Sequence, residues 1–215
     1  MGFELRPYQK EAVDAGLKFL TGRSKKPGIE VLPCAAGKSL IISKIAHELK
    51  RPILVLQPSK EILEQNYAKA VSFGSKPTIY SASCKKKELS AMTYATLKSI
   101  KKDVARLKDI GIDTLLIDEV HSGYSPEEGS EFMEFMNRFP EAKVLGFTAT
   151  PCRLRTYSSM LEGNYSKLNM LTKDEHNFFK KIVHVTQIQE LTSQGFWCPL
   201  KYERWLSLIH ISEPT

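Results

Sequence analysis

Four short apolar runs constrain the fold of this chain more than any other feature. They are IEVL at residues 29–32, PILVL at 52–56, DTLLI at 113–117 and KVLGF at 143–147. Nearly continuous apolar runs of this length suit strands buried on both faces, which belong to parallel sheets. Between them the apolar spacing changes to that of amphipathic helices. Helices are expected over residues 7–20 (opened by Pro7), 38–49, 59–73 (capped by Ser59), most of 93–110, and 127–139. Residues 22–28 read as a basic loop, and 78–80 and 89–92 as further short strands. The expected fold class is therefore α/β, a mainly parallel sheet with helices on both faces. Ligands of such sheets bind beyond the carboxyl ends of the strands. Gly37-Lys38-Ser39, Asp118-Glu119 and Thr148-Ala149-Thr150 each follow one of the apolar runs. Three polar groups should thus meet along one sheet edge.

The stretch VLPCAAGKSL, residues 31–40, joins a strand to a helix. Backbone N–H groups at a helix N-terminus bind phosphate, aided by the helix dipole. Gly37 would let the backbone turn closely around a phosphate, Lys38 would reach its oxygens, and Ser39 would ligate Mg²⁺. Against the general pattern G-x-x-x-x-G-K-[ST], Leu32 replaces the first glycine, while Cys34, Ala35 and Ala36 keep the middle small. In LLIDEVH, residues 115–121, Asp118 is suited to hold Mg²⁺ through water and Glu119 to polarise an attacking water. An ordinary acidic loop has the same composition; the upstream phosphate loop separates the two readings. In GFTATP, residues 146–151, Thr148 and Thr150 place short hydroxyl side chains at a strand end, a weak signal by itself.

Together these stretches resemble superfamily 2 helicases and translocases, DEAD/DEAH-box-like motors, and within them the restriction-type and repair-type branches. Leu32 and Pro33 match the phosphate loop of that family, L-P-T-G-x-G-K-[ST], while Cys34, Ala35 and Ala36 depart from it conservatively in size. Asp118-Glu119-Val120-His121 matches the D-E-x-H box, with Val120 as a variant. Thr148 and Thr150, with His121, match the coupling motif. LRPYQKEAV, residues 5–13, resembles the adenine-recognition element: the Gln9 amide would pair with the N7 and amino edge of the base, and Arg6 would stack on it. An exposed helix glutamine is the alternative for Gln9. LQPSKEILEQ, from Leu56, resembles a strand-contact motif, with Ser59 and Lys60 at a helix N-terminus facing nucleic-acid phosphate. MTYATL, residues 92–97, resembles another, with Thr93 opening a helix; an ordinary helix cap reads the same way.

The resemblance covers residues 5–202 and implies a first RecA-like P-loop domain over 1–205. It implies an ATP-dependent DNA helicase or translocase that uses Mg²⁺ and yields ADP and phosphate in the full-length protein. DNA is favoured over RNA as partner. A second RecA-like domain, which supplies the arginine finger, is absent from the chain, so the fragment alone is expected to be inactive. The translocase part of a restriction enzyme, or a regulatory nucleotide-binding module without motor activity, would carry the same residues.

A net charge of +7 permits a polyanionic partner without demonstrating one. Cys34, Cys84, Cys152 and Cys198 are too scattered for a zinc site or disulfide framework, and suit a reducing cytoplasm. No stretch approaches the ~20 apolar residues that cross a bilayer, and no membrane partner is expected. The charged beginning does not suit a secretory signal. The last decapeptide, LSLIHISEPT at 206–215, differs in character and resembles the in-frame translation of a transposase-type sequencing adapter. It is expected to be non-native.

Overall fold

The computed structural model describes residues 4–124, 127, 129–159, 163–173 and 177–198; the decapeptide 206–215 lies outside them. Helix α1 (Pro7–Thr21) leads into β1 (Gly28–Val31), α2 (Lys38–Leu49), β2 (Ile53–Leu56), α3 (Lys60–Ser72) and β3 (Thr78–Ser81). A two-residue β4 (Lys86–Lys87), β5 (Met92–Ala95), α4 (Leu97–Ile100), α5 (Val104–Asp109), β6 (Thr114–Ile117), α6 (Glu131–Asn137) and β7 (Lys143–Thr148) follow. The chain continues through β8 (Cys152–Ser159), β9 (Gly163–Met170), β10 (Lys181–Val185) and α7 (Ile188–Ser193).

Eight strands form one sheet in the order β10-β1-β7-β6-β2-β5-β3-β4, and all its pairings are parallel except β3 with β4. The apolar runs explain the layers. Ile53 and Val55 of β2 enter one core with Ile41, Ile42 and Ile45 of α2 and Leu63 of α3. Leu54 and Leu56 enter the other, with Ile100, Leu107, Phe132 and Phe135 from α4, α5 and α6. The strand's two-residue alternation thus feeds two opposite cores. Every residue of β2 and β6 is buried, and each such aliphatic side chain contributes about 1.5–3 kcal/mol. The strands β1, β7 and β6 are sheet neighbours, and each ends beside a sequence motif.

Three expectations are corrected. The strand expected at 89–92 is displaced: residues 89–91 lie outside it, and β5 starts at Met92 and pairs with β2 and β3. Thr93 therefore lies inside β5, fully buried, and opens no helix. Its hydroxyl donates to the Ser90 carbonyl at 2.9 Å. The pairing of Met92-Thr93-Tyr94-Ala95, rich in β-formers, overrides the capping potential of the threonine. The helix begins only after Thr96. The 93–110 segment consequently holds two short helices. The helix expected from residue 127 starts at Glu131, because Ser130 caps it, accepting from Met133 N at 3.2 Å.

Candidate functional site

After β1 the chain turns through Leu32-Pro33-Cys34-Ala35-Ala36-Gly37 into α2. Cys34 and Ala35 are exposed, Ala36 is buried, and Ser39 sits half-buried in the first turn of α2. Ala35 (φ 63°) and Gly37 (φ 86°) are both left-handed. That conformation is unfavourable for alanine and ordinary for glycine. Gly37 is needed for a second reason: a Cβ there would lie 2.5 Å from Gln9 Nε2. No side chain caps α2; Leu40 N bonds the Gly37 carbonyl at 2.9 Å, which leaves the N–H groups of Lys38 and Ser39 without an acceptor inside the helix. This is the geometry that receives an oxyanion.

The adenine-side candidates stand against this loop. Gln9 Nε2 donates to the Ala36 carbonyl at 3.0 Å, as does the Tyr8 hydroxyl, also at 3.0 Å. Gln9 Oε1 accepts from Arg6 N at 2.9 Å. Gln9 is only 6% exposed, so it is not an exposed helix residue. The exposed Arg6 places its guanidinium over the Phe196 ring, 4.6 Å from the centroid.

At the ends of β6 and β7 the acidic and hydroxyl groups converge on the loop. Lys38 Nζ lies 3.1 Å from Glu119 Oε1. Glu119 Oε2 lies 3.3 Å from His121 Nδ1, without hydrogen-bond geometry. His121 Nδ1 meets Thr148 Oγ1 at 2.9 Å. The Thr148 hydroxyl donates to Thr150 O at 2.9 Å and accepts from Thr150 N at 3.0 Å. With its proton committed to Thr150, Thr148 takes the His121 N–H. Two polar segments, Lys38–Glu119 from the phosphate loop and His121–Thr148–Thr150 at the β7 end, therefore meet at the Glu119–His121 approach. Glu119 itself has φ 51°, a strained value for a glutamate.

Asp118 is 3% exposed. Its Oδ1 accepts from Glu119 N at 2.9 Å and its Oδ2 from Asn66 Nδ2 at 3.2 Å. Burial, reinforced by the Glu119 charge, pushes its carboxyl up to about 6, against the opposing effects of Lys38 and these donors. Among the described residues no cluster of three or more His, Cys, Asp or Glu could hold a metal. The set suits Mg²⁺ held by one carboxylate, a hydroxyl, water and phosphate oxygens rather than by a protein cage.

A groove of about 470 Å³ has a lining that includes Gln57, Ser59, Lys60, Thr96, Ser99 and Tyr124. Ser59 caps α3, accepting from Ile62 N at 3.4 Å. Ser59 and Lys60 face this groove, but Thr93 does not; Thr96 occupies that place. Sequence reasoning missed Tyr8, Asn66, Tyr124, Arg153 and Thr96. Asn66 carried one signal, a polar residue on the buried stripe Leu63, Asn66, Ala70 of α3.

The model of the Type III restriction enzyme res subunit matches residues 2–153. The DNA 3'-5' translocase XPB2 of Sulfurisphaera tokodaii is 34% identical over 155 residues, 70% of this chain but 31% of that protein. The chain thus spans about a third of the length of this curated relative. Among solved structures, a nuclease-deletion mutant of the Type ISP restriction-modification enzyme LlaGI, in complex with a DNA substrate mimic, superposes with TM-score 0.60. It is 17% identical, over 89% of this chain and 18% of that one. A hypothetical ATP-dependent RNA helicase from Sulfolobus tokodaii gives TM-score 0.54 at 18% identity, over 70% of this chain and 48% of that one. T4 UvsW gives 0.53 at 20%, over 69% and 30%. These three likenesses bear on the fold. The match over residues 2–153 bears on descent: the chain belongs to the family of the Type III restriction enzyme res subunit, within the superfamily 2 helicases.

Proposed function

We propose that this domain is the ATP-binding part of an ATP-driven DNA helicase or translocase. The observation that carries the reading is the convergence of two polar segments, Lys38–Glu119 and His121–Thr148–Thr150, which approach to 3.3 Å between Glu119 and His121. It joins a phosphate-type loop to the strand end from which motion would be relayed. The loop N–H groups of Gly37, Lys38 and Ser39, with the Lys38 ammonium, bind the nucleotide phosphates. Gln9 reads adenine and Arg6 leaves Phe196 to stack on it. Cys34 and Ala35 border the phosphates through the backbone. Ser39 and Asp118 hold Mg²⁺, which supplies charge neutralisation at the phosphates when bound. Glu119 exchanges its Lys38 partner for the attacking water and orients it. Its movement is felt by His121, and through Thr148 by Thr150.

Ser59, Lys60 and Thr96 hold a nucleic-acid strand through its phosphates, independent of base sequence. DNA is favoured because the sequence relative is named a DNA translocase. The LlaGI likeness, a fold-level one, and the family description leave room for a translocase of restriction. The second wall of the nucleotide cleft comes from a second RecA-like domain as partner. Four free cysteines fit a reducing cytoplasm, and no described helix is long and apolar enough to cross a membrane.

The test is ATP turnover by the intact enzyme that carries this domain, with and without DNA. Turnover should rise with DNA and stop in Glu119→Gln. Turnover indifferent to DNA would favour a regulatory nucleotide-binding module.

A further inference from the structure

The strands β8 and β9 stand apart from the main sheet as a two-stranded antiparallel ribbon. They pair along their whole length, from Cys152 opposite Met170 to Ser159 opposite Gly163. At about 3.4 Å per residue, eight residues span roughly 27 Å. A lone hairpin is marginal in water, and this one is fastened at its base. Arg153 donates to Val120 O at 2.6 Å and Tyr124 O at 2.5 Å. Leu171 N donates to Pro151 O at 2.8 Å, and Asn177 Nδ2 to Met170 O at 2.7 Å.

Two properties of the ribbon have no explanation inside the domain. Leu154 and Leu168 are direct cross-strand partners, yet they are 66% and 64% exposed. The two strands carry Arg153, Arg155 and Lys167 and no aspartate or glutamate, and Arg155 stands opposite Lys167 in register. The base of the ribbon also leads into the groove: Tyr124, which accepts from Arg153, lines it with Ser59, Lys60 and Thr96.

We propose that the β8–β9 ribbon is a second nucleic-acid contact, an arm that lies in the major groove of duplex DNA continuing into the Ser59–Lys60–Thr96 groove. The proposal rests on the groove's reading as a nucleic-acid site. The B-DNA major groove admits a two-stranded ribbon. Residues 152–170 carry Arg153, Arg155 and Lys167 against the single acid Glu162, and on a chain of charge +7 this excess complements a polyanion. Lys167 meets phosphate, and the leucine pair meets the apolar floor, where thymine methyl groups lie.

The test is fluorescence anisotropy of the 215-residue chain with a short duplex and with a single strand, over a range of salt. Lys167→Glu should weaken duplex binding about tenfold and lower its salt slope by about 0.9 for each phosphate that the side chain neutralises. Leu154→Ser with Leu168→Ser should weaken duplex binding as well, and neither variant should change single-strand binding. Both positions are exposed, so thermal melting should stay as in the parent. Lys60→Glu should weaken both DNAs; if it weakens neither, the groove reading fails while the ribbon's is judged by its own variants. Duplex binding unchanged in the ribbon variants overturns the proposal. So does a loss confined to self-association in sedimentation, which would make the ribbon a protein contact. A parent with no affinity for duplex refutes it, whatever its affinity for single strands.

Discussion

Gly37→Ala isolates the geometry of the loop. At φ 86° an alanine pays the left-handed penalty, about 1–2 kcal/mol. Its Cβ would also sit 2.5 Å from Gln9 Nε2. That atom is the end of a flexible side chain, so it moves, but moving breaks its 3.0 Å bond to Ala36 O. Leaving a buried amide unpaired costs about 1–3 kcal/mol. The total destabilisation is therefore about 2–5 kcal/mol, from the sum of those two ranges. Chemical denaturation of the single variants and of Gly37→Ala/Gln9→Ala forms a double-mutant cycle. With Gln9 truncated, Gly37→Ala should cost only the conformational part, about 1–2 kcal/mol. An equal cost in both backgrounds would refute the contact with Gln9. A cost near zero for Gly37→Ala alone would refute the loop conformation itself.

Glu30 of β1 is fully buried with neither carboxylate oxygen hydrogen-bonded, and burial holds its carboxyl well above the usual range. Because its folded pKa is raised, the parent's stability is complete at acid pH and falls as pH rises through that value. Glu30→Met should gain about 1–3 kcal/mol at neutral pH and flatten this dependence in denaturation experiments. Asp118, with a pKa of about 6, is protonated below that pH. Mg·ATP affinity in titrations should therefore fall as pH drops through it, and Asp118→Asn should lose the dependence. Thr148→Val leaves His121 N–H and Thr150 N–H without their shared acceptor, costing about 1–3 kcal/mol in thermal melts. Nucleotide binding should survive it, while DNA stimulation of turnover in the intact enzyme should be lost.

The sheet was legible because its central strands are buried on both faces, and β2 and β6 carry that burial as plain apolar runs. The convergence of Lys38, Glu119 and Thr148 was legible for the same reason, since the motifs end strands of one parallel sheet. Thr93 was misplaced because a threonine after a short apolar stretch reads equally as a cap or a strand residue. Only pairing with β2 and β3 decides it. The β8–β9 ribbon left no signal: Leu154 and Leu168 are exposed, so the apolar alternation of a half-buried strand is missing there. The roles of Arg153 and Tyr124 were not legible because the Arg153 side chain meets the backbone carbonyls of Val120 and Tyr124, a contact between distant segments that local sequence does not encode.

The central claim is that the strand-end cluster binds nucleotide phosphates. Calorimetric titration of Mg·ATP into the chain, Lys38→Ala and Glu119→Gln tests it most directly. Lys38 is held by Glu119 at 3.1 Å, so Lys38→Ala should abolish binding while Glu119→Gln, which frees the ammonium, should bind at least as tightly as the parent. Parent-like affinity in Lys38→Ala would contradict the account.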